Sequence, residues 1–276
     1  MKHHIHVKTF KKPAILADFL TSMQEHGYAE AGNIITVGDD NPGECIDVLE
    51  RFPFVDAYLT GNINAIWANN NRGIKYFLEN TDADALVLVD HDIQFIKHSL
   101  FDEIESASKV DRQKHIITFA RGTDGINGLQ VVFPYVAESN YLRWHPGCHG
   151  YLFWQTRELV GRVGYQLKFS YFYGAEHAEY SHRCLIAQGL SSLDLYPILK
   201  RSDEFYKLNP SDFREYDVDY AHVMATNQQE MHDRDAQTIQ GRNLLENSHH
   251  LDRELVVRRS DNCTAGMIRE LLSKAG

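Results

Sequence analysis

Cysteine and proline are scarce in this sequence, at 4 and 7 of its 276 residues. Cys45, Cys148, Cys184 and Cys263 are scattered without a Cys-x-x-Cys pair, which argues against a zinc knuckle or a dense disulfide framework. Long apolar runs are missing as well. The longest aliphatic run, Ala85 to Val89, falls far short of the ~20 residues that a membrane-spanning helix needs. The opening residues, Met1 to Val7, carry no apolar h-region, so no secretory signal and a cytoplasmic location are expected. Positive charge is in deficit: 28 Lys+Arg against 38 Asp+Glu give a net charge of −10. That balance weighs against broad adhesion to nucleic acid or anionic membrane. Hydrophobic residues at 43% and charged residues at 24% are globular values and indicate neither disorder nor a fibre. The length suits one large α/β domain with an appendage.

What is present is an alternation of strand and helix patterns. Residues 4–9 alternate as a strand, and Pro13 opens a helical pattern that runs through Met23. Asn33–Val37 reads as a second strand, followed by the acidic turn cluster Gly38–Gly43. Cys45–Phe52 reads as a helix and Val55–Leu59 as a strand. The pattern from Ile63 to Leu78 is helical but is interrupted by the polar stretch Asn69–Gly73. Asp84–Val89 is an almost wholly apolar β run, the pattern of a strand covered on both faces. Further strands are expected at Ile116–Phe119 and Gln130–Tyr135 around a Gly-rich loop at 122–128, then a turn, a short strand and a helix at Thr156–Arg162. Beyond about residue 203 polar and charged residues dominate up to a helical tail at 265–274. This order predicts a mostly parallel sheet with helices on both faces, and ligands in such sheets bind outside the carboxyl ends of the strands.

Two acidic clusters, Asp39-Asp40 and Asp90-His91-Asp92, fall at that edge. Asp90 and Asp92 are two apart at a strand end, so their side chains point to one side while His91 points away. Crowded carboxylates repel, and a hard divalent cation keeps both ionised. Oxygen ligands favour Mg²⁺ or Mn²⁺, ions suited to neutralising a diphosphate. The duller reading is a solvated loop that begins with Asp-His-Asp. For His3, His4 and His6, alternation on an edge strand is explanation enough, and His249-His250 reads as a solvated loop. The aromatic faces of Trp67, Trp144 and Trp154 suit stacking on a flat apolar ligand face, Trp144 and Trp154 the better candidates beside residues 147–153, with core packing the expected role of Trp67 and Trp154.

Taken in order, these segments resemble the nucleotide-sugar glycosyltransferases of the GT-A fold, especially the family 2-type and polypeptide GalNAc-transferase-like branches. Val7–Pro13 with Leu16 and Leu20 is similar to their opening strand and helix, and Thr36–Asp40 to the acidic turn that reads the base. Gly61-Asn62 and Asn71-Arg72-Gly73 resemble the segments before the metal motif, and Leu86–Asp92 the strand that carries it. Gly147–Phe153 with Thr156-Arg157 resembles the Gly-Gly segment lining the sugar and acceptor sites. Tyr173–Arg183 resembles the Gly-Gly-Glu-Asp motif and its helix, except that His177 stands where inverting relatives have the catalytic Asp. Retaining relatives carry Asn there, so the stereochemical outcome stays open.

The resemblance implies a GT-A catalytic domain over residues 1–203 and a partly helical C-terminal extension over 204–276. The nucleotide-sugar half would be about 1–100 and the acceptor half about 101–203. It implies a UDP-sugar or related donor, Mn²⁺ or Mg²⁺, and a hydroxyl acceptor on a glycan, lipid-linked sugar or other biopolymer. Asp92 would bind the cation, Asp90 the ribose or a metal-bound water, and His222, or else His232, would complete the metal shell. Thr9, Lys11, Asp39, Asn71, Arg72, His149 and Gly150 would contact the donor, with Asp39 on the base. His177 or Glu176 would activate or orient the acceptor hydroxyl. Three other readings stay open: glycosylation of a modified nucleic-acid base, a sugar nucleotidyltransferase, and a non-catalytic binding protein of the same fold. The second lacks the glycines that a phosphate loop at Lys11-Lys12-Pro13 would need.

Overall fold

A computed structural model describes residues 1–30, 32–41, 43–61, 63–119, 135–145, 151–168, 176–190, 195–209 and the backbone of 254–258. The elements in chain order begin β1 (His3–Thr9), α1 (Pro13–Glu25), β2 (Ile34–Asp39), α2 (Ile46–Leu49), β3 (Ala57–Gly61), α3 (Ile66–Asn80) and β4 (Ala85–Asp90). They continue β5 (Ile93–Phe95), α4 (Leu100–Asp111), β6 (His115–Thr118), β7 (Ala137–Glu138), β8 (Leu142–His145), β9 (Leu152–Thr156) and α5 (Arg157–Val163). The last are α6 (Glu176–Ala187), β10 (Tyr196–Leu199), β11 (Tyr206–Leu208) and β12 (Glu254–Arg258).

Ten strands form one sheet in the order β12-β3-β2-β1-β4-β9-β6-β10-β8-β7. Strands β3, β2, β1 and β4 run parallel, as the alternation predicted, and β10 is parallel to β6. Antiparallel pairings bring in β9 between β4 and β6, the hairpin-like β8 and β7 at one edge, and β12 at the other. Helices cover both faces. Ile5, Val7, Val87 and Val89 face α1 and α4, whereas Leu86 and Leu88 face α3, α5 and α6. The strand alternation therefore feeds two cores, and β4 is buried on both sides as its unbroken apolar run required.

Strand β1 is not an edge strand. It lies between β2 and β4, and His4 and His6 point from it into the α3 face, fully buried. Their polarity is met locally. His4 Nε2 lies 2.8 Å from Thr36 Oγ1, His6 Nδ1 lies 2.9 Å from the same hydroxyl, and His6 Nε2 is 2.9 Å from Asn69 Oδ1. Asn69 Nδ2 donates to Gly38 O at 3.0 Å, so Asn69 Oδ1 must accept and His6 Nε2 must carry the proton. His6 Nδ1 then accepts from Thr36, whose oxygen accepts from His4. Both rings are held neutral: burial drives His6 down to about 3 and His4 well below its usual range.

The same network corrects the expected break in α3. Asn69, Asn70, Asn71 and Arg72 are buried inside a continuous helix because each finds a partner across the layer. Asn70 Nδ2 donates to Gln166 Oε1 at 2.9 Å, and Asn71 makes a two-way bond with the Gln166 backbone at 2.7 and 3.0 Å. Gly73 follows because His6 packs against the helix backbone: a Cβ there would sit 2.4 Å from the imidazole ring. Arg157, at the start of α5, closes the other end of α3, donating to Phe77 O, Thr81 O and Ala83 O at 2.6–3.0 Å.

Strand β11 pairs with β5 directly after the Asp-His-Asp turn, and β12 pairs along the whole of β3. The expected strand at Gln130–Tyr135, apart from Tyr135 itself, the Gly-rich loop at 122–128 and the helical tail at 265–274 lie outside the described residues.

Candidate active site

The carboxyl ends of β1, β2 and β4 lie side by side, with Thr9 in register with Asp39 and Lys8 with Asp90. The turn Asp90-His91-Asp92 is fixed from several directions. Asp90 N donates to Tyr151 O at 2.9 Å, His91 N to Lys8 O at 3.2 Å, and Asn209 N to Asp92 O at 2.7 Å. The β5–β11 ribbon follows at once, so the chain after residue 205 clamps the turn.

Within this frame the two carboxylates differ. Asp90 is a quarter exposed, and its Oδ1 pairs with Lys8 Nζ at 2.9 Å, the lysine being 5% exposed. Asp92 Oδ1 is buried with no hydrogen-bond partner. Burial, then the neighbouring Asp90 charge, raises the Asp92 carboxyl to about 7. A buried, unpartnered carboxylate oxygen beside a second carboxylate fits a hard divalent cation, which would satisfy the orphaned oxygen. His91 points the other way into the protein, and burial lowers it to about 4. Among the described residues no cluster of three or more His, Cys, Asp or Glu side chains could hold a metal alone.

Several of the residues expected on the donor are buried and partnered within the protein. Asp39 is fully buried and its carboxylate accepts from Asn41 N at 2.9 Å, Tyr58 Oη at 3.0 Å and Cys45 N at 3.4 Å. It shapes the turn after β2 from within, and burial raises it to about 6. Arg72 is likewise buried and pairs with Asp40. Burial pushes Asp40 up to about 7 against the pull of that guanidinium. Asn71 ties α3 to residue 166, as described above. Thr9 is buried, 3.5 Å from Cys45 Sγ. Lys11 remains exposed, in a left-handed conformation at φ 52°, with its ammonium 5.1 Å from the Phe10 ring centre. The polar residues of α3 thus form a buried layer, with Asn69 and Arg72 holding the turn after β2.

On the opposite flank, α6 begins with Glu176 and His177. The His177 ring stacks on Phe153 at 4.5 Å and 18°, and its Nε2 is 3.5 Å from Glu176 Oε1. Phe153 is in register with Leu88, two residues before Asp90, so His177 stands at the same end of the sheet as the Asp-His-Asp turn. His177 is one-fifth exposed and Glu176 almost wholly buried. His149, Gly150, His222 and His232 lie outside the described residues. Trp67 and Trp154 are core residues, and Trp144 is half-buried on β8. Sequence reasoning did not foresee that Lys8 would be the partner of Asp90; its alternation with His4 and His6 was the available signal.

Neither a known protein family nor a curated protein sequence matches the chain. Solved structures do. S. aureus TarS matches with a TM-score of 0.52 at 14% identity, over 76% of this chain and 37% of TarS. Its 1–349 fragment in complex with UDP-GlcNAc matches with a TM-score of 0.51 at 15% identity, over 77% of this chain and 59% of the fragment. The same fragment in complex with UDP gives 0.51 and 15%, over 75% and 60%. The chain thus spans from just over a third to three-fifths of the length of the structures it matches. With its parallel block flanked by helices, the chain has a GT-A-like glycosyltransferase fold.

Proposed function

We propose that the chain is a metal-dependent glycosyltransferase that moves a sugar from a nucleoside-diphosphate sugar to an acceptor hydroxyl. The observation that carries this reading is the buried, unpartnered Asp92 oxygen beside Asp90 at the carboxyl edge of the parallel strands. Asp92 would hold Mn²⁺ or Mg²⁺, with His222 or His232 as a further ligand, and the ion would supply charge to neutralise a departing diphosphate. Asp90 meets the ribose or a metal-bound water through its exposed side. Lys11 would meet the diphosphate, and His149 with Gly150 the sugar. His177, held flat against Phe153, accepts the proton of the acceptor hydroxyl, with Glu176 orienting it. Uracil is the base we favour, in keeping with the UDP and UDP-GlcNAc bound by TarS. The acceptor is a glycan, a lipid-linked sugar or another biopolymer, and no helix among the described residues is long and apolar enough to cross a membrane.

The test is a thermal-shift panel of UDP, GDP, CDP and dTDP, each with and without Mn²⁺. One diphosphate with Mn²⁺ should stabilise the protein by about 2.7 kcal/mol at a hundredfold excess over Kd. Asp92→Asn should abolish that shift. No shift with any pair would sink the reading.

A further inference from the structure

The β5–β11 ribbon that follows the acidic turn also forms one wall of a cleft of about 280 Å³. Helix α1 is the other wall, and Ser22 ties the two together by accepting from Phe95 N at 3.0 Å. Asp18, Glu25 and His26 line the cleft from the α1 side, and Gln94, Phe95 and Lys207 from the ribbon. None of Asp90, Asp92, Glu176 and His177 lines it. Its polar groups are uncommitted. Among the described residues the side chains of Glu25, Gln94 and Lys207 make no hydrogen bond or ion pair. His26 Nδ1 is buried without a partner, and Asp18 gives one oxygen to Asn209 Nδ2 at 3.3 Å.

We infer that this cleft is a second carbohydrate site, which takes one neutral sugar unit of the acceptor glycan. Only the source of the sugar rests on the glycosyltransferase reading above. Three features select the chemistry. The walls carry both signs of charge, carboxylates on α1 and an ammonium on the ribbon, so neither a simple anion nor a simple cation satisfies them all. The hydroxyls of a sugar do: each donates to a carboxylate and accepts from Lys207 or the Gln94 amide. Phe95, 2% exposed, and Ile96 add apolar surface for the C–H face of the ring. The volume lies just short of the roughly 300 Å³ at which pockets for drug-sized ligands begin, which suits a single ring. The cleft is also close to the chemistry along the chain. Gln94 comes two residues after Asp92, and Lys207 two before Asn209, whose N donates to Asp92 O at 2.7 Å. A glycan held here is therefore held by the ribbon that fixes the acidic turn.

The test is a ¹H–¹⁵N NMR titration of the whole chain with the methyl glycosides of glucose, galactose, mannose and N-acetylglucosamine, and with spermidine as a cationic control. One glycoside should move the amides of Ser22, Glu25, Gln94 and Lys207, with a Kd on the order of 1 mM for a single ring in a polar cleft. The disaccharide of that sugar should bind at least as tightly, and its exclusion would overturn a glycan as the source. Glu25→Ala combined with Gln94→Ala should weaken binding about tenfold, the loss of two hydrogen-bonding groups, and leave the thermal shift with UDP and Mn²⁺ unchanged. Should the double variant fail to fold, Glu25→Ala alone, at an exposed position, decides by a loss of about threefold. Glycosides that move no cleft amide, or that bind the variant as tightly as the parent, would overturn the inference, while a persisting UDP and Mn²⁺ shift would keep the glycosyltransferase reading. Cleft amides that answer to spermidine alone would overturn it in favour of a cation site. Glycoside binding in the cleft with no UDP and Mn²⁺ shift would uphold the sugar site and overturn the glycosyltransferase reading.

Discussion

Replacing Asp92 by Asn should stabilise the metal-free protein while removing its response to metal and diphosphate. In the folded chain the Asp92 carboxyl is raised to about 7 by burial and by Asp90. In the unfolded chain it titrates near 3.8. The folded state therefore binds the proton more tightly, and stability is lost as pH rises from about 4 through 7. Three pH units at about 1.36 kcal/mol each set a ceiling of about 4 kcal/mol by pH 8. The amide is itself buried and must find partners, so the expected gain for Asp92→Asn is about 1–3 kcal/mol at pH 8. At pH 5, only about one pH unit above the unfolded value of 3.8, the ceiling falls to about 1.6 kcal/mol and the cost of the buried amide should bring the gain close to zero. Urea denaturation of both proteins in EDTA at the two pH values measures it as a shift in midpoint at constant slope. With Mn²⁺ and UDP present the order of stability should invert. A variant less stable than the parent at pH 8 in EDTA would refute the reasoning, as would a difference that ignores pH.

Four further outcomes follow from the packing. Gly73→Ala should destabilise by about 1–3 kcal/mol against its helix propensity, because the new methyl would lie 2.4 Å from His6; Gly161→Ala, with nothing within 4 Å, should stabilise by about 0.5–1 kcal/mol. Arg72→Met should cost about 3–5 kcal/mol in chemical denaturation by leaving Asp40 buried and unpaired, and Asp40→Asn in the same chain should recover part of it. His6 and His115, both lowered to about 3 by burial, should stay neutral in imidazole nitrogen spectra down to pH 4.5. Their folded pKa lies below the unfolded value, so stability falls as pH drops from 6.5 towards 3, a loss partly offset by proton uptake at Asp39 and Asp40, whose shifts are upward. Urea midpoints between pH 7 and 4 should therefore decline less steeply than the buried histidines alone would dictate.

Much of the site's frame was legible because it depends on local pattern. An apolar strand that stops at Asp90-His91-Asp92 identifies both its burial and its exposed end, and Pro13 marks the start of α1 to the residue. Illegible were the partners that polar residues find across the layers. Asn69–Arg72 read as a break in a helix because their partners, His6, Gly38, Asp40 and Gln166, lie 31 to 96 residues away in sequence. His4 and His6 read as an edge for the same reason. Alternation reports that a strand has two faces, and says nothing of whether a hydroxyl such as Thr36 waits on the far one. Asp39 and Arg72 show the same limit: the pattern places both near the ligand edge, and their partners Tyr58 and Asp40 become visible only in the structure.

Strand β12 carries a consequence for biosynthesis. It covers the open side of β3, yet it follows β3 by roughly 190 residues. At about 5–20 residues per second on the ribosome, the β3 backbone stays unpaired on that side for some 10–40 seconds after it emerges. Throughout that interval the nascent chain presents a ready template for a neighbour's strand. Chaperone dependence, or its relief by truncating translation pauses between the two strands, is where this late closure should become visible in the cell.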